Sequence, residues 1–210
     1  MKTNTKALTL LGVLLAVEIL LSYTPLGFIP LPFMNATTTH IPVIIGGVFL
    51  GPVGGGILGL AFGLLSILRA TMAPTLTSFV FSPFVSIGGV DGNFWSVVIA
   101  IVPRILIGVL SYYAYALCKK YKVKDMLAYA VTGIVGSLTN TIFVMGLIYV
   151  CFGEPYAAAV GVEAAALFGF IMGIVGMNGV PEAIIAAIIV SMLCKILKPL
   201  FKGDLRLRFR

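Results

Sequence analysis

Long apolar runs, separated by short polar or Pro-rich breaks, set the pattern of this chain. A membrane-spanning helix needs about 20 apolar residues at a rise of about 1.5 Å each. The first such run covers residues 7–23. Pro25, Pro30 and Pro32 then exclude helix, so 24–40 reads as a loop. A short second span covers 41–50 and stops at Gly51-Pro52, a strong turn signal. The third, 53–69, is rich in glycine (Gly54, Gly55, Gly56, Gly59, Gly63), which lets helix backbones approach closely. Residues 71–94 read as irregular, with Pro74, Pro83 and the turn formers Gly88-Gly89 and Asp91-Gly92. A fourth span covers 94–117, the charged run 118–125 breaks the pattern, and a fifth covers 126–152, where GEPY opens another loop. The apolar stretch 162–200 is too long for one span, and Gly176, Gly179 and Pro181 interrupt it. A re-entrant or interfacial segment is expected before Met177, and the sixth span over 178–197. The pattern predicts an all-α membrane protein, one six-helix bundle occupying residues 1–210.

Composition strengthens this reading. Apolar residues make up 60% of the 210 and charged residues 10%, and the mean hydropathy is +1.13. A soluble domain has about 25% charged residues, so a soluble fold this poor in charge would expose large apolar patches. The basic start and apolar run at the N-terminus have the look of a signal peptide, but no small-residue cleavage site follows, so the run reads as the first helix. Cys118, Cys151 and Cys194 are odd in number and widely spaced, and read as small packing residues.

Charge sets the orientation. Lys2 and Lys6 precede span one, Lys119, Lys120, Lys122 and Lys124 lie between spans four and five, and Lys195, Lys198, Lys202, Arg206, Arg208 and Arg210 follow span six. An even number of spans places all three groups on one side, which predicts cytoplasmic termini. The connections at 24–40, 71–94 and 153–177 are then extracellular; they hold Asp91, Glu154 and Glu163 but no Lys or Arg.

Polar residues inside a membrane are expensive and therefore informative. Those left after the loops are Glu18, His40, Arg69, Arg104, Asn140, Asn178 and Glu182, with Thr37, Thr38, Thr39 and Ser78 nearby. Asn140 lies about 22 Å from the cytoplasmic end of its span and Arg104 near the midplane. Nearly all of them fall in the outer half, under loops rich in Pro, Phe and Gly. That distribution points to a ligand pocket opening outward, and argues against an open channel, which would be polar along its whole length. Duller readings stand beside this one. Arg69 also suits snorkelling to headgroups, and Asn178 and Glu182 suit a helix N-terminus. Arg104 and Glu18 suit a buried ion pair, His40 a loop position with no role, Asn140 an interhelical hydrogen bond, and the aromatics of 79–95 an interfacial belt.

The chain has no GxxxxGK(S/T) phosphate loop, no HExxH and no GxSxG, so neither ATP hydrolysis by that route nor an intramembrane protease is expected. No inverted repeat marks it as a self-contained secondary transporter. In its order of segments it resembles the S components of energy-coupling factor (ECF) transporters. The resemblance covers nearly the whole length and rests on six spans with a long first outer loop, on Thr38-Thr39-His40-Ile41-Pro42-Val43-Ile44-Ile45-Gly46, and on residues 50–66 (LGPVGGGILGLAFGLLS), 78–84 (SFVFSPF), 136–144 (GSLTNTIFV) and 178–187 (NGVPEAIIAA). The segments at 39–44 and 78–84 are most similar to pantothenate-type members.

The resemblance implies a non-enzymatic subunit of a prokaryotic plasma membrane. Such a subunit captures a vitamin at its outer face, works with a membrane scaffold subunit and two cytoplasmic ATPases, and needs no cofactor or metal. It implies docking on the scaffold through small residues of span one, here Gly12 and Ala16, with glycine where the family has alanine. For a pantothenate ligand the carboxylate would meet Arg69, Arg104 or His40, and the hydroxyls and amide would meet Thr39, Ser78, Asn140 and Asn178, with Phe81 and Glu182 completing the expected site. Riboflavin, folate or a pyridoxine-like compound is the alternative ligand, and a stand-alone secondary transporter the alternative class.

Overall fold

A computed structural model of the chain describes residues 5–31 and 34–200, and for 26, 28–31 and 34–36 it describes the backbone alone. Lys2, Pro32, Lys202, Arg206, Arg208 and Arg210 lie outside the described residues. The helices are α1 (Thr5–Tyr23), α2 (Ile41–Met72), α3 (Phe94–Lys120), α4 (Asp125–Val160), α5 (Leu167–Ile174) and α6 (Val180–Leu200). Two small antiparallel ribbons pair β1 (Phe28–Leu31) with β2 (Met34–Thr37), and β3 (Ser86–Ile87) with β4 (Val90–Asp91).

Within α2, Gly51 takes φ 80° and ψ −174°, a conformation almost closed to residues with a Cβ. Pro52 then starts a fresh helical run, where its missing N–H costs nothing. The element is two arms folded side by side: a Cβ added at Gly46 would lie 3.8 Å from Gly55 Cα, whereas nine residues along a straight helix span about 13 Å. The second and third spans expected from sequence are these two arms, joined with no loop. Counted by length and apolarity, five helices among the described residues can cross a membrane: Thr5–Tyr23, Ile41–Met72, Phe94–Lys120, Asp125–Val160 and Ala164–Leu200.

Two sequence boundaries are corrected. GEPY does not open a loop, because α4 continues to Val160 past a single non-helical residue, Phe152. That break puts Pro155 in the first turn of a new helical stretch, where proline is tolerated. Nor does the chain re-enter before Met177. From Leu167 to Leu200 it stays helical, through a widened π-turn at Val175–Gly179 that accommodates Gly176, Gly179 and Pro181. The third outer connection shrinks to a few residues around Gly161.

The bundle packs α2 against α3, α3 against α4, α4 against α6, and α1 along α2. Where α2 crosses α3, backbone meets backbone: a Cβ at Gly108 would lie 2.2 Å from Gly55 O, and one at Gly59 2.2 Å from Arg104 O. Tyr115 and Tyr129 stack between α3 and α4 with ring centroids 5.5 Å apart. Cys194 is buried and Cys118 and Cys151 half-buried, all unbridged. The two ends of the bundle differ. At one, Arg69 Nη1 donates to Ser22 O at 3.2 Å, joining the ends of α2 and α1, and Thr37 donates to Glu182 at the start of α6. At the other, Asp125 at the foot of α4 takes ion pairs from Lys119 (2.6 Å) and from Lys198. The first turn of α1 and the last of α6 both lie at this basic end.

Candidate ligand cavity

Both arms of α2 return to the same end, and the space between them, α3, α4 and the loop at 73–81 is a cavity of ≈ 350 Å³. The second arm supplies one face, Phe62, Leu65, Ser66, Arg69 and Ala70, at the spacing of consecutive helical turns, and Ala73 just past its end extends that face. Arg69 stands at the end of the bundle away from the Asp125 ion pairs. Phe62, two turns below, lies about 10 Å deeper.

At that depth sits Arg104, 7% exposed. Its Nη1 donates to Ile99 O at 2.8 Å, and its guanidinium carbon lies 5.5 Å from the Phe62 ring centre and 5.2 Å from that of Phe81. Both are within cation–π range. Its Nε is buried with no partner among the described residues. The ion pair with Glu18 is not formed. Glu18 is fully buried on α1, and neither of its carboxylate oxygens has a partner among the described residues. α1 packs along α2, while Arg104 sits on α3 and turns its guanidinium to its own helix and the two rings.

Six of the residues expected from sequence line this cavity: Thr39, Arg69, Ser78, Phe81, Arg104 and Asn140. Asn140 Oδ1 is buried with no partner among the described residues. Ser78 Oγ accepts from Thr75 N at 2.8 Å, which folds the loop over the cavity. Three expected residues are not in the lining. His40 is 1% exposed, next to Thr39, with neither ring nitrogen partnered among the described residues. Asn178 is half-buried in the widened turn before α6. Glu182 accepts from both the backbone N and Oγ1 of Thr37, each at 2.9 Å, and Thr37 itself lines the cavity. The sequence reading missed Ser22, Phe62, Leu65, Ser66, Ala70, Ala73 and Thr75. Five positions of the second arm, 62, 65, 66, 69 and 70, share one helical face, and projecting from Arg69 in three- and four-residue steps would have found it.

The lining therefore carries two arginines, several hydroxyls, one amide and two aromatic rings, and no carboxylate. That set suits a small anion with hydroxyl or amide groups, since a buried guanidinium binds carboxylate strongly. No cluster of three metal-ligating side chains occurs among the described residues.

The long apolar helices define a multi-pass helical membrane protein, here with a cavity enclosed by its bundle. The family described as the substrate-specific component of ECF transporters matches residues 6–194, and the chain belongs to that family, a transporter subunit rather than an enzyme. It is 37% identical over 164 residues to the pantothenic acid transporter PanT of Lactococcus lactis subsp. cremoris (strain MG1363), covering 77% of this chain and 76% of that protein. The crystal structure at 2.1 Å of the S component for biotin from an ECF-type ABC transporter matches it over the full length of both chains, with a TM-score of 0.53 and 19% identity. At that identity the likeness speaks for the fold.

Proposed function

We propose that the chain is the pantothenate-capturing subunit of an ECF importer. The observation that carries the ligand is the identity to a pantothenic acid transporter over three quarters of both chains. The cavity agrees with it: Arg104 and Arg69 suit the carboxylate, and Asn140, Thr39 and Ser78 suit the hydroxyls and amide. A flavin or folate ring would compete with Arg104 for Phe62 and Phe81, the two rings on which a stacking ligand depends.

Two arms in α2 and four further helical passes make six crossings, so the first turn of α1 and the last turn of α6 share the basic end. Lysines favour the cytoplasmic side, which turns the cavity outward. The subunit then works with a membrane scaffold and two ATPases, docking through the α1 face that holds Gly12 and Ala16. Both residues are exposed, and nothing lies within 4 Å of a Cβ added at Gly12.

The test is calorimetry of purified protein with pantothenate, riboflavin, folate and pyridoxine, beside mass spectrometry of any retained small molecule. Saturable binding of pantothenate alone is the expected result. Binding of another vitamin in its place refutes the ligand, and ion-gradient-driven flux in liposomes holding this chain alone refutes the class.

A further inference from the structure

Nδ1 and Nε2 of His40 and Oδ1 of Asn140 are buried and have no partner among the described residues. His40 is the only histidine of the chain and is 1% exposed. It stands in the turn that starts α2, beside Thr39, which lines the ligand cavity. Asn140, on α4, lines that cavity too. Ile44 fixes how the two helices meet. Its backbone N donates to His40 O at 3.2 Å, so it lies one turn from His40 on the same face. Its side chain packs on Gly136, where an added Cβ would lie 2.5 Å from Ile44 Cγ1. Asn140 is one turn beyond Gly136 on that face of α4. One turn from this contact toward the cavity, along each helix, therefore brings His40 and Asn140 to the same depth. Ser111 Oγ, also unpartnered among the described residues, would lie 2.7 Å from the same added Cβ, a turn deeper than Asn140.

We propose that His40 is a positioning residue of the ligand site: its ring N–H engages Asn140 Oδ1, directly or through one water, and so turns the Asn140 amide N–H groups to the cavity. This rests on the reading of that cavity as the ligand site. Burial lowers the His40 pKa to about 4, so the ring is neutral and has one N–H to donate. An amide carries an acceptor on one edge and donors on the other. Left free, Asn140 can present either edge to a ligand. Held by His40, it presents donors alone, which select a hydroxyl or carbonyl oxygen at that point. The amide is then set before the ligand arrives, so binding does not have to order it.

Calorimetry of the purified full chain with pantothenate tests the coupling. His40→Phe keeps a ring and removes the N–H. Affinity should fall by about tenfold, and His40→Gln, which restores an N–H, should recover most of it. Asn140→Leu should also weaken binding. Adding His40→Phe to Asn140→Leu should then cost nothing further, because a residue that acts through another loses its effect when the other is gone. Losses that multiply in the double variant would make His40 a packing residue and overturn the proposal.

A second measurement needs no ligand. With a single histidine in the chain, the ring-nitrogen NMR spectrum of the histidine-labelled protein holds one pair of signals. The native chain should show one neutral tautomer, its N–H slow to exchange with water. Asn140→Leu should shift that N–H signal or mix the tautomers; where this variant fails to fold, Asn140→Ser carries the same comparison. Ring signals unchanged in the folded variant refute the pairing, whether or not pantothenate binds. Shifted signals in a protein that does not bind pantothenate support the pairing and sink the ligand assignment alone.

Discussion

Arg104 is a buried cation with one backbone acceptor, two aromatic faces and no carboxylate among its described contacts. A hydrogen bond to a charged group is worth about 1.5–3 kcal/mol. Arg104→Gln is therefore expected to weaken pantothenate binding by about ten- to a hundredfold, measured by calorimetry, with melting temperature followed in parallel. Arg104→Lys should recover only part, because an ammonium lacks the planar fork and stacks poorly. Unchanged Kd with a lowered melting temperature would make Arg104 a structural residue. Glu18 poses the opposite problem. Its carboxyl is fully buried and unpartnered among the described residues, and an unpaired polar group in apolar surroundings costs stability. Glu18→Leu should raise the melting temperature in detergent and leave pantothenate Kd unchanged; a fall in either stability or affinity would show that the carboxyl has a partner or a task. Both residues stood out in the sequence as charges within apolar runs. The ion pair that their depths suggested does not form, because a sequence gives the depth of a side chain in its helix but not the direction it turns.

Among the elements, α2 shapes the site. Its reversal at Gly51 lets the second arm bring Arg69 to the cavity that Thr39 also lines, and that arm can lie on α3 only because Gly55 meets Gly108 without side chains between them. Gly108→Val would drive a Cβ to 2.2 Å from Gly55 O and push the arm off α3. Loss of pantothenate binding with a broadened or aggregated gel-filtration peak is expected, whereas a monodisperse variant with native affinity would mean that the crossing relaxes freely. The glycine-rich 53–63 run and the Gly51-Pro52 break were legible because turn and close-contact residues are chemically distinctive. The later Gly and Pro signals misled, since Pro155 and Pro181 occupy a first helical turn and the edge of a π-turn, where neither breaks a helix. The β1–β2 ribbon was hidden for a related reason: Pro30 reads as a helix breaker and says nothing of which strand pairs with which.

For the whole molecule the decisive contrast lies between what α1 buries and what it leaves open. Ala7, Leu10, Leu14 and Glu18 face the bundle, while Val13, Val17, Leu20 and Tyr23 are exposed on the other side. Gly12 and Ala16 lie one turn apart on the exposed side, with open space over Gly12. Ordinary packing inside the bundle does not explain them, so the small-residue pair is available to a neighbouring helix in the membrane. Small residues allow such helices to approach closely. Gly12→Leu fills that space without disturbing the cavity, which Gly12 does not line. Pantothenate Kd of the isolated subunit should then stay at the native value. ATP-dependent uptake into proteoliposomes containing scaffold and ATPases should fall by at least about tenfold, an interface loss of about 1.4 kcal/mol or more. Gly12→Ala, the residue of the family pattern, should transport normally. Native uptake by Gly12→Leu would move the docking face elsewhere on the bundle. Loss of binding in the isolated variant would show instead that α1 is part of the cavity's frame.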